Sequence, residues 1–78
     1  MREEILHILA EVCEEDQVKT DPDLELVESG LLDSLAFAEL LAELEDQLGV
    51  VIAPSEVQRS DMDTPAKIVA LAESRKQG

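Results

Sequence analysis

The alternation of apolar and polar residues that a half-buried strand requires is nearly absent from this chain. The only β-branched run, Val50-Val51-Ile52, is too short to start a sheet. A core must therefore come from helices. Leucine, alanine and glutamate dominate, and Phe37 is the sole aromatic, a composition that leans the same way. At 78 residues the chain is one domain, 1–78, of the all-α class, with a modest core.

The first helix is expected from Arg2 to Glu15. On a 3.6-residue wheel Ile5, Leu6, Ile8, Leu9, Val12 and Cys13 share one arc, opposite Glu3, Glu4, His7, Glu11 and Glu14. His7 thus faces solvent without a partner, and no function is assigned to it. Cys13 is the only cysteine, so no internal disulfide can form and a reducing compartment suits the chain. Its place on the apolar arc makes it a core residue. No long apolar run opens the chain, so neither a signal peptide nor a membrane span is expected. The expectation is a monomeric cytoplasmic protein that does not insert into membranes.

From Asp16 to Asp33 the periodicity breaks. Asp21, Pro22, Asp23, Ser29 and Gly30 are turn residues, yet Leu24, Leu26, Val27, Leu31 and Leu32 fall among them. The pattern predicts a long first loop pinned to the core. Loops of this length inside a compact domain usually carry function.

A second helix is expected from Asp33 or Ser34 to Leu48, with Gly49 as its stop. Its core stripe is Phe37, Leu40, Leu41, Leu44 and Leu48. Leu35, Ala38, Glu39, Ala42 and Asp46 lie opposite, flanked by Glu43 and Glu45. Ala53 to Glu56 begins a short helical turn at most. The last helix starts with Thr64 as N-cap and Pro65 in first position. Ile68, Val69, Leu71 and Ala72 form its apolar face, and Arg75 and Lys76 suit its end. The sum is a small bundle of three main helices and one short one.

Six basic residues against nineteen acidic ones leave a net charge of −13. Such a surface repels phosphate backbones, which argues against nucleic-acid partners, and it favours basic protein partners. No paired nucleophile and base, cysteine pair or Gly-rich phosphate loop is present, so no catalytic residue is assigned. The acids lack the spacing of a calcium loop, so no metal site is assigned either.

One stretch carries chemistry: Gly30-Leu31-Leu32-Asp33-Ser34-Leu35. A serine that opens a helix after a long loop is exposed, and a helix N-terminus favours a phosphate. Simple capping by Asp33 or Ser34 is the plainer explanation of the same residues. Beside the serine, Leu35 with Ala38 and Ala42 forms an outward apolar spot with acidic neighbours Asp33 and Glu39, a pattern suited to a transient partner.

Asp33-Ser34-Leu35, followed by Glu39-Leu40, Leu44-Glu45 and Leu48-Gly49, resembles the signature of the acyl carrier protein superfamily along nearly the whole chain. The resemblance implies a four-helix carrier bundle. It also implies 4′-phosphopantetheine on Ser34, placed there by a phosphopantetheinyl transferase and ending in a thiol that holds cargo as a thioester. Within that superfamily the chain is most similar to the D-alanyl carrier family of teichoic acid D-alanylation. Leu9-Ala10-Glu11-Val12-Cys13, Glu28 to Ser34, Pro54-Ser55-Glu56, Arg59 and Thr64-Pro65 carry that likeness. It implies a D-alanine-activating ligase and a membrane-bound acyltransferase as partners; Arg59, the first positive charge after the acidic second helix, is close enough in sequence to help orient one of them. The chain departs from the family pattern at Ala36-Phe37, Val57-Gln58 and Met62, where a tryptophan is usual. Two alternatives stand beside this reading. One is an acyl or aminoacyl carrier of fatty-acid, polyketide or nonribosomal-peptide synthesis; the other is an acidic adaptor without a prosthetic group. Phe37, if interior, leaves less room for a long acyl chain and favours a small cargo.

Overall fold

The structure is a computed structural model that describes residues 2–75, with the side chain of Arg59 outside that description. Three α-helices form it: α1 (Arg2–Cys13), α2 (Ser34–Leu48) and α3 (Pro65–Arg75). Single 3₁₀ turns occur at Asp16–Lys19, Pro54–Glu56 and Arg59–Asp61. No strand occurs among the described residues. The short fourth helix expected near Ala53 is thus one 3₁₀ turn.

Helix α1 buries Ile5, Leu6, Ile8, Leu9, Ala10 and Cys13. It stops at Cys13, two residues before the end expected from the wheel. Glu14 there adopts φ 55°, and the Glu15 N–H donates to the Ala10 carbonyl at 3.1 Å, a closure that ends a helix by a left-handed residue. Glu15 then accepts the Gln17 N–H at 3.2 Å and opens the next turn, which drives Val18 into the core. His7 is exposed as expected but not alone: its Nε2 lies 3.0 Å from Glu11 Oε1, one helical turn on.

The long loop is held at both edges. Leu26 and Leu32 are buried, with Leu24 and Leu31 packed against the core. The Leu26 N–H donates to the Asp63 carbonyl (2.9 Å), and Ala66 N–H to that of Pro22 (3.1 Å), tying the loop to the start of α3. Each bond satisfies a backbone group that burial would otherwise leave costly.

Helix α2 ends as the glycine signal predicts. Gly49 sits at φ 69°, and N–H groups of Gly49 and Val50 return to the carbonyls of Glu45 and Leu44. Leu40, Leu41 and Leu44 are buried. Phe37 and Leu48 are only half-buried against the core, a correction to the expected stripe. Five residues on one helix span too wide an arc to face a small core equally. Phe37 therefore does not fill the interior, and the argument from it against a long acyl chain lapses.

Thr64 caps α3, its Oγ1 accepting the Lys67 N–H at 3.3 Å, and Ile68, Val69 and Ala72 enter the core with Leu71 half-buried. Arg75 reaches Glu56 at 3.0 Å and fastens the Pro54–Glu56 turn to α3. Lys76, expected at the end of this helix, lies outside the described residues. Met62 is fully buried, an adaptable side chain suited to filling an irregular gap in the core.

Candidate functional site

The loop delivers Ser34 to the surface in three steps. Gly30 reverses the chain at φ 82°, a conformation glycine adopts without strain. Ser29 Oγ bonds the Leu26 carbonyl (3.3 Å) and accepts the Leu31 N–H (3.4 Å), fixing the turn. Leu32 then plugs into the core, and the chain emerges at Asp33 with extended backbone.

Asp33 is the cap of α2. Its Oδ1 accepts the Ala36 N–H at 2.8 Å, and its carbonyl accepts the Phe37 N–H at 2.8 Å. Ser34 is the first residue of the helix and is exposed. Leu35 beside it is 72% exposed, the most exposed large apolar side chain described. Ala38, Glu39 and Ala42 are exposed on the same helix. Five of the seven predicted site residues, Ser34, Leu35, Ala38, Glu39 and Ala42, thus lie on the exposed side of α2, and Asp33 caps its start. Arg59 stands apart in the turn Arg59–Asp61, and its side chain lies outside the described residues.

A groove of about 290 Å³ opens beside this face. Val12 and Cys13 of α1 and the following Glu14 form one wall, with Leu35, Ala36 and Glu39 of α2 opposite. The α1 wall was not legible in the sequence, because nothing in a single helix's pattern says which neighbour its end will meet. Burial, and secondarily the Asp33 carboxylate, push the Cys13 thiol up to about 11, so it remains protonated and unreactive near neutrality. A wider groove of about 500 Å³ lies far from Ser34, between Glu3, Leu6 and Lys19 and the end of α2 at Gln47 and Leu48. Among the described residues no three metal-ligating side chains gather in one place.

The site suits a serine-linked phosphodiester. The start of α2 supplies partial positive charge in acidic surroundings. The exposure of Ser34 and Leu35 leaves the solvent side open to a bulky substituent.

An exposed serine opening the second helix of a three-helix bundle is the arrangement of a carrier domain. Residues 3–72 match the family model described as Phosphopantetheine attachment site. Over 69 residues the chain is 51% identical to the D-alanyl carrier protein of Lacticaseibacillus casei, covering 88% of this chain and 85% of that one. It is 46% identical over 68 residues to that of Bacillus velezensis, with 87% of each chain covered. Against that of Bacillus subtilis the figure is 43% over 68 residues, again 87% of each. The chain belongs to the D-alanyl carrier family of phosphopantetheine-bearing proteins. It is a carrier with a phosphopantetheine attachment site, not a catalyst. No helix among the described residues is long and apolar enough to cross a membrane.

Proposed function

We propose that residues 1–78 form a single carrier domain in which Ser34 bears 4′-phosphopantetheine and presents a D-alanyl group for D-alanylation of lipoteichoic and teichoic acid. One observation carries this reading: Ser34 is exposed at the head of α2 while Asp33 supplies the cap to the Ala36 N–H. Ser34 can therefore be esterified without the helix losing that cap. When attached, the arm supplies a terminal thiol to which the cargo is joined as a thioester.

The neighbouring residues serve the partner enzymes. Leu35, Ala38 and Ala42 are small or protruding apolar contacts that let another surface approach Ser34 closely, and Asp33 and Glu39 give them an acidic edge. The charge of −13 steers basic surfaces towards the protein and speeds their encounter at low salt. The partners are a phosphopantetheinyl transferase, which installs the arm, and a D-alanine-activating ligase, which loads it at the expense of ATP. A membrane-bound acyltransferase then takes the cargo from a monomeric carrier in the cytoplasm. Arg59, the first positive charge after α2 in the sequence, helps to orient one of these enzymes.

Intact-mass spectrometry after incubation with coenzyme A and a broad phosphopantetheinyl transferase tests the assignment. The expected result is a gain of one arm on the natural chain and none on Ser34→Ala, both equally helical by circular dichroism. An arm on Ser34→Ala would overturn the attachment site. The holo protein should then be charged by a D-alanine-activating ligase and poorly by a malonyl transferase; the reverse preference would overturn the cargo.

A further inference from the structure

The turn that precedes Ser34 closes on one carbonyl. That of Leu26 accepts the Leu32 N–H at 2.9 Å and the Ser29 hydroxyl at 3.3 Å. The Leu26 N–H is itself fixed to the Asp63 carbonyl at 2.9 Å, just ahead of α3. Leu26 and Leu32 are both buried, so the two stems of the turn are clamped in the core. The stretch between them is not. Val27 and Leu31 are half-buried, and Glu28, Ser29 and Gly30 are exposed.

Hydrogen bonds alone hold the path of that stretch. The Gly30 N–H reaches the Val27 carbonyl at 3.2 Å. Ser29 Oγ makes two more bonds, donating to the Leu26 carbonyl and accepting the Leu31 N–H at 3.4 Å. One hydroxyl therefore spans the turn from its first stem to the residue before its second. Gly30 and Leu31 line the groove beside the attachment site, together with Asp33 and Leu35. The turn is thus part of the surface on which an enzyme arriving at Ser34 must settle.

We infer that Ser29 is a positioning residue for attachment of the arm: its hydroxyl holds Gly30 and Leu31 in the arrangement that an arm-installing transferase engages. The inference rests on the reading of Ser34 as the attachment site. Ser29 acts through the turn and takes no part in the chemistry. Its side chain is exposed, and the core contacts of this loop belong to Leu26 and Leu32, so its removal leaves the bundle intact.

The lengths of the two Ser29 bonds decide how the effect appears. At 3.3 and 3.4 Å both are longer than a strong hydrogen bond, so the turn opens locally at little cost. Losing both lowers the closed fraction. A transferase that engages only the closed turn then binds more weakly in proportion to that fraction. Once the complex has formed, transfer proceeds as before, so the loss falls on KM rather than on kcat. Gly30 offers a second way to open the same turn. It sits at φ 82°, and a methyl group added there meets nothing within 4 Å. Gly30→Ala therefore strains the turn through its backbone alone, without a clash and without touching Ser29.

The test measures initial rates of arm transfer from coenzyme A by a broad phosphopantetheinyl transferase, read by intact mass, as the carrier concentration is varied. The full natural chain is compared with Ser29→Ala, Ser29→Thr, Gly30→Ala and Ser34→Ala. Ser29→Ala and Gly30→Ala should each raise KM about three- to tenfold and leave kcat within about twofold. Both should speed hydrogen exchange of the Leu31 amide, and Ser29→Ala should melt close to the natural chain. Ser29→Thr, which keeps the hydroxyl, should restore KM and exchange together. An unchanged KM in Ser29→Ala, a loss confined to kcat, or a threonine variant as impaired as the alanine one would each overturn the inference. So would a KM defect in Ser29→Ala with normal Leu31 exchange and a normal Gly30→Ala, which would make Ser29 a direct contact of the transferase. If Ser34→Ala accepts the arm, the inference falls together with the Ser34 reading; if Ser34→Ala is blocked while the turn variants behave normally, the inference falls alone.

Discussion

Asp33 holds the backbone nitrogen of Ala36 through Oδ1 at 2.8 Å, which makes Asp33 the N-cap of α2 and its neighbour Ser34 the first residue of the helix. The two residues are therefore separable by mutation. Asp33→Ala should cost about 1 kcal/mol, the usual loss on removing an N-cap. Ser34→Ala should cost less while abolishing arm attachment. Urea unfolding of both variants checks the order, and a larger loss for Ser34→Ala would show that the serine is the working cap.

Leu35 and Leu44 lie on the same helix with opposite fates, 72% and 0% exposed. Leu44→Ala should destabilise by about 2–5 kcal/mol, as truncation of a buried leucine does. Leu35→Ala should change stability by no more than about 0.5 kcal/mol yet slow arm attachment and loading. Equal losses in melting temperature would mean that Leu35 is covered in solution.

Glu14 is the one non-glycine residue described with positive φ, and it carries a negative charge at the C-terminus of α1, where the dipole disfavours it. Glu14→Gly relieves both faults. Glycine's greater freedom in the unfolded chain offsets part of the gain, so thermal unfolding should show a net stabilisation of about 0.5–1 kcal/mol. A loss of stability would mean that Glu14 makes a compensating contact.

The Cys13 thiol, at about 11 against an ordinary 9.0, makes two measurable predictions. At pH 8 roughly one thiol in a thousand is ionised in the folded protein, against about one in ten when unfolded, so alkylation should be slow until denaturant is added. The sign for stability follows from the raised value. Below pH 9 both states hold the proton and the contribution is complete. Between about 9 and 11 the unfolded state loses its proton first, so stability falls with rising pH, by at most about 1.4 kcal/mol per pH unit from this group. A Cys13→Ala variant should lose that slope; an unchanged slope would place its origin elsewhere.

Much of this was legible in the sequence, and the pattern of success has a physical cause. Gly49, Thr64 and Pro65 declare their helix ends through local backbone chemistry, and the structure places those ends where they declare them. The leucines of the first loop announce a pinned segment, and Leu26 and Leu32 are its pins. Val18 and Met62, by contrast, are buried in stretches without periodicity, where only the neighbours brought by the fold decide which side chain turns inward. Phe37 shows the limit of the wheel itself. A stripe records angle, not the width of the surface available to bury it. At the site, the serine and its exposed neighbours share one helix and could be read together. The wall from Val12 to Glu14 belongs to the end of another helix and the residue after it, and its nearness is a fact of packing.

The last prediction concerns charge. Among the described residues the ion pairs are few: His7–Glu11, Lys67–Asp63 and Arg75–Glu56, against nineteen acidic residues in the chain. Salt weakens attraction and repulsion alike, so the balance depends on which is more numerous. Lys67–Asp63 and Arg75–Glu56 are partly exposed, and such pairs are worth roughly 0–1 kcal/mol each. The remaining carboxylates repel one another across a particle with a radius of gyration of only 11.0 Å. The molecule measures 31 × 25 × 17 Å, so charges on opposite sides still interact at about 0.01 M salt, where the screening length is about 30 Å. At about 0.1 M, where it is about 10 Å, they are screened from one another. Repulsion should therefore prevail, and raising the ionic strength from about 0.01 to 0.5 M should raise the melting temperature. Glu45→Gln or Asp46→Asn, each removing one exposed charge from α2, should raise it at low salt and lose that advantage at high salt. A melting temperature that falls with salt would show that the two cationic pairs at α3 outweigh the repulsion of the rest.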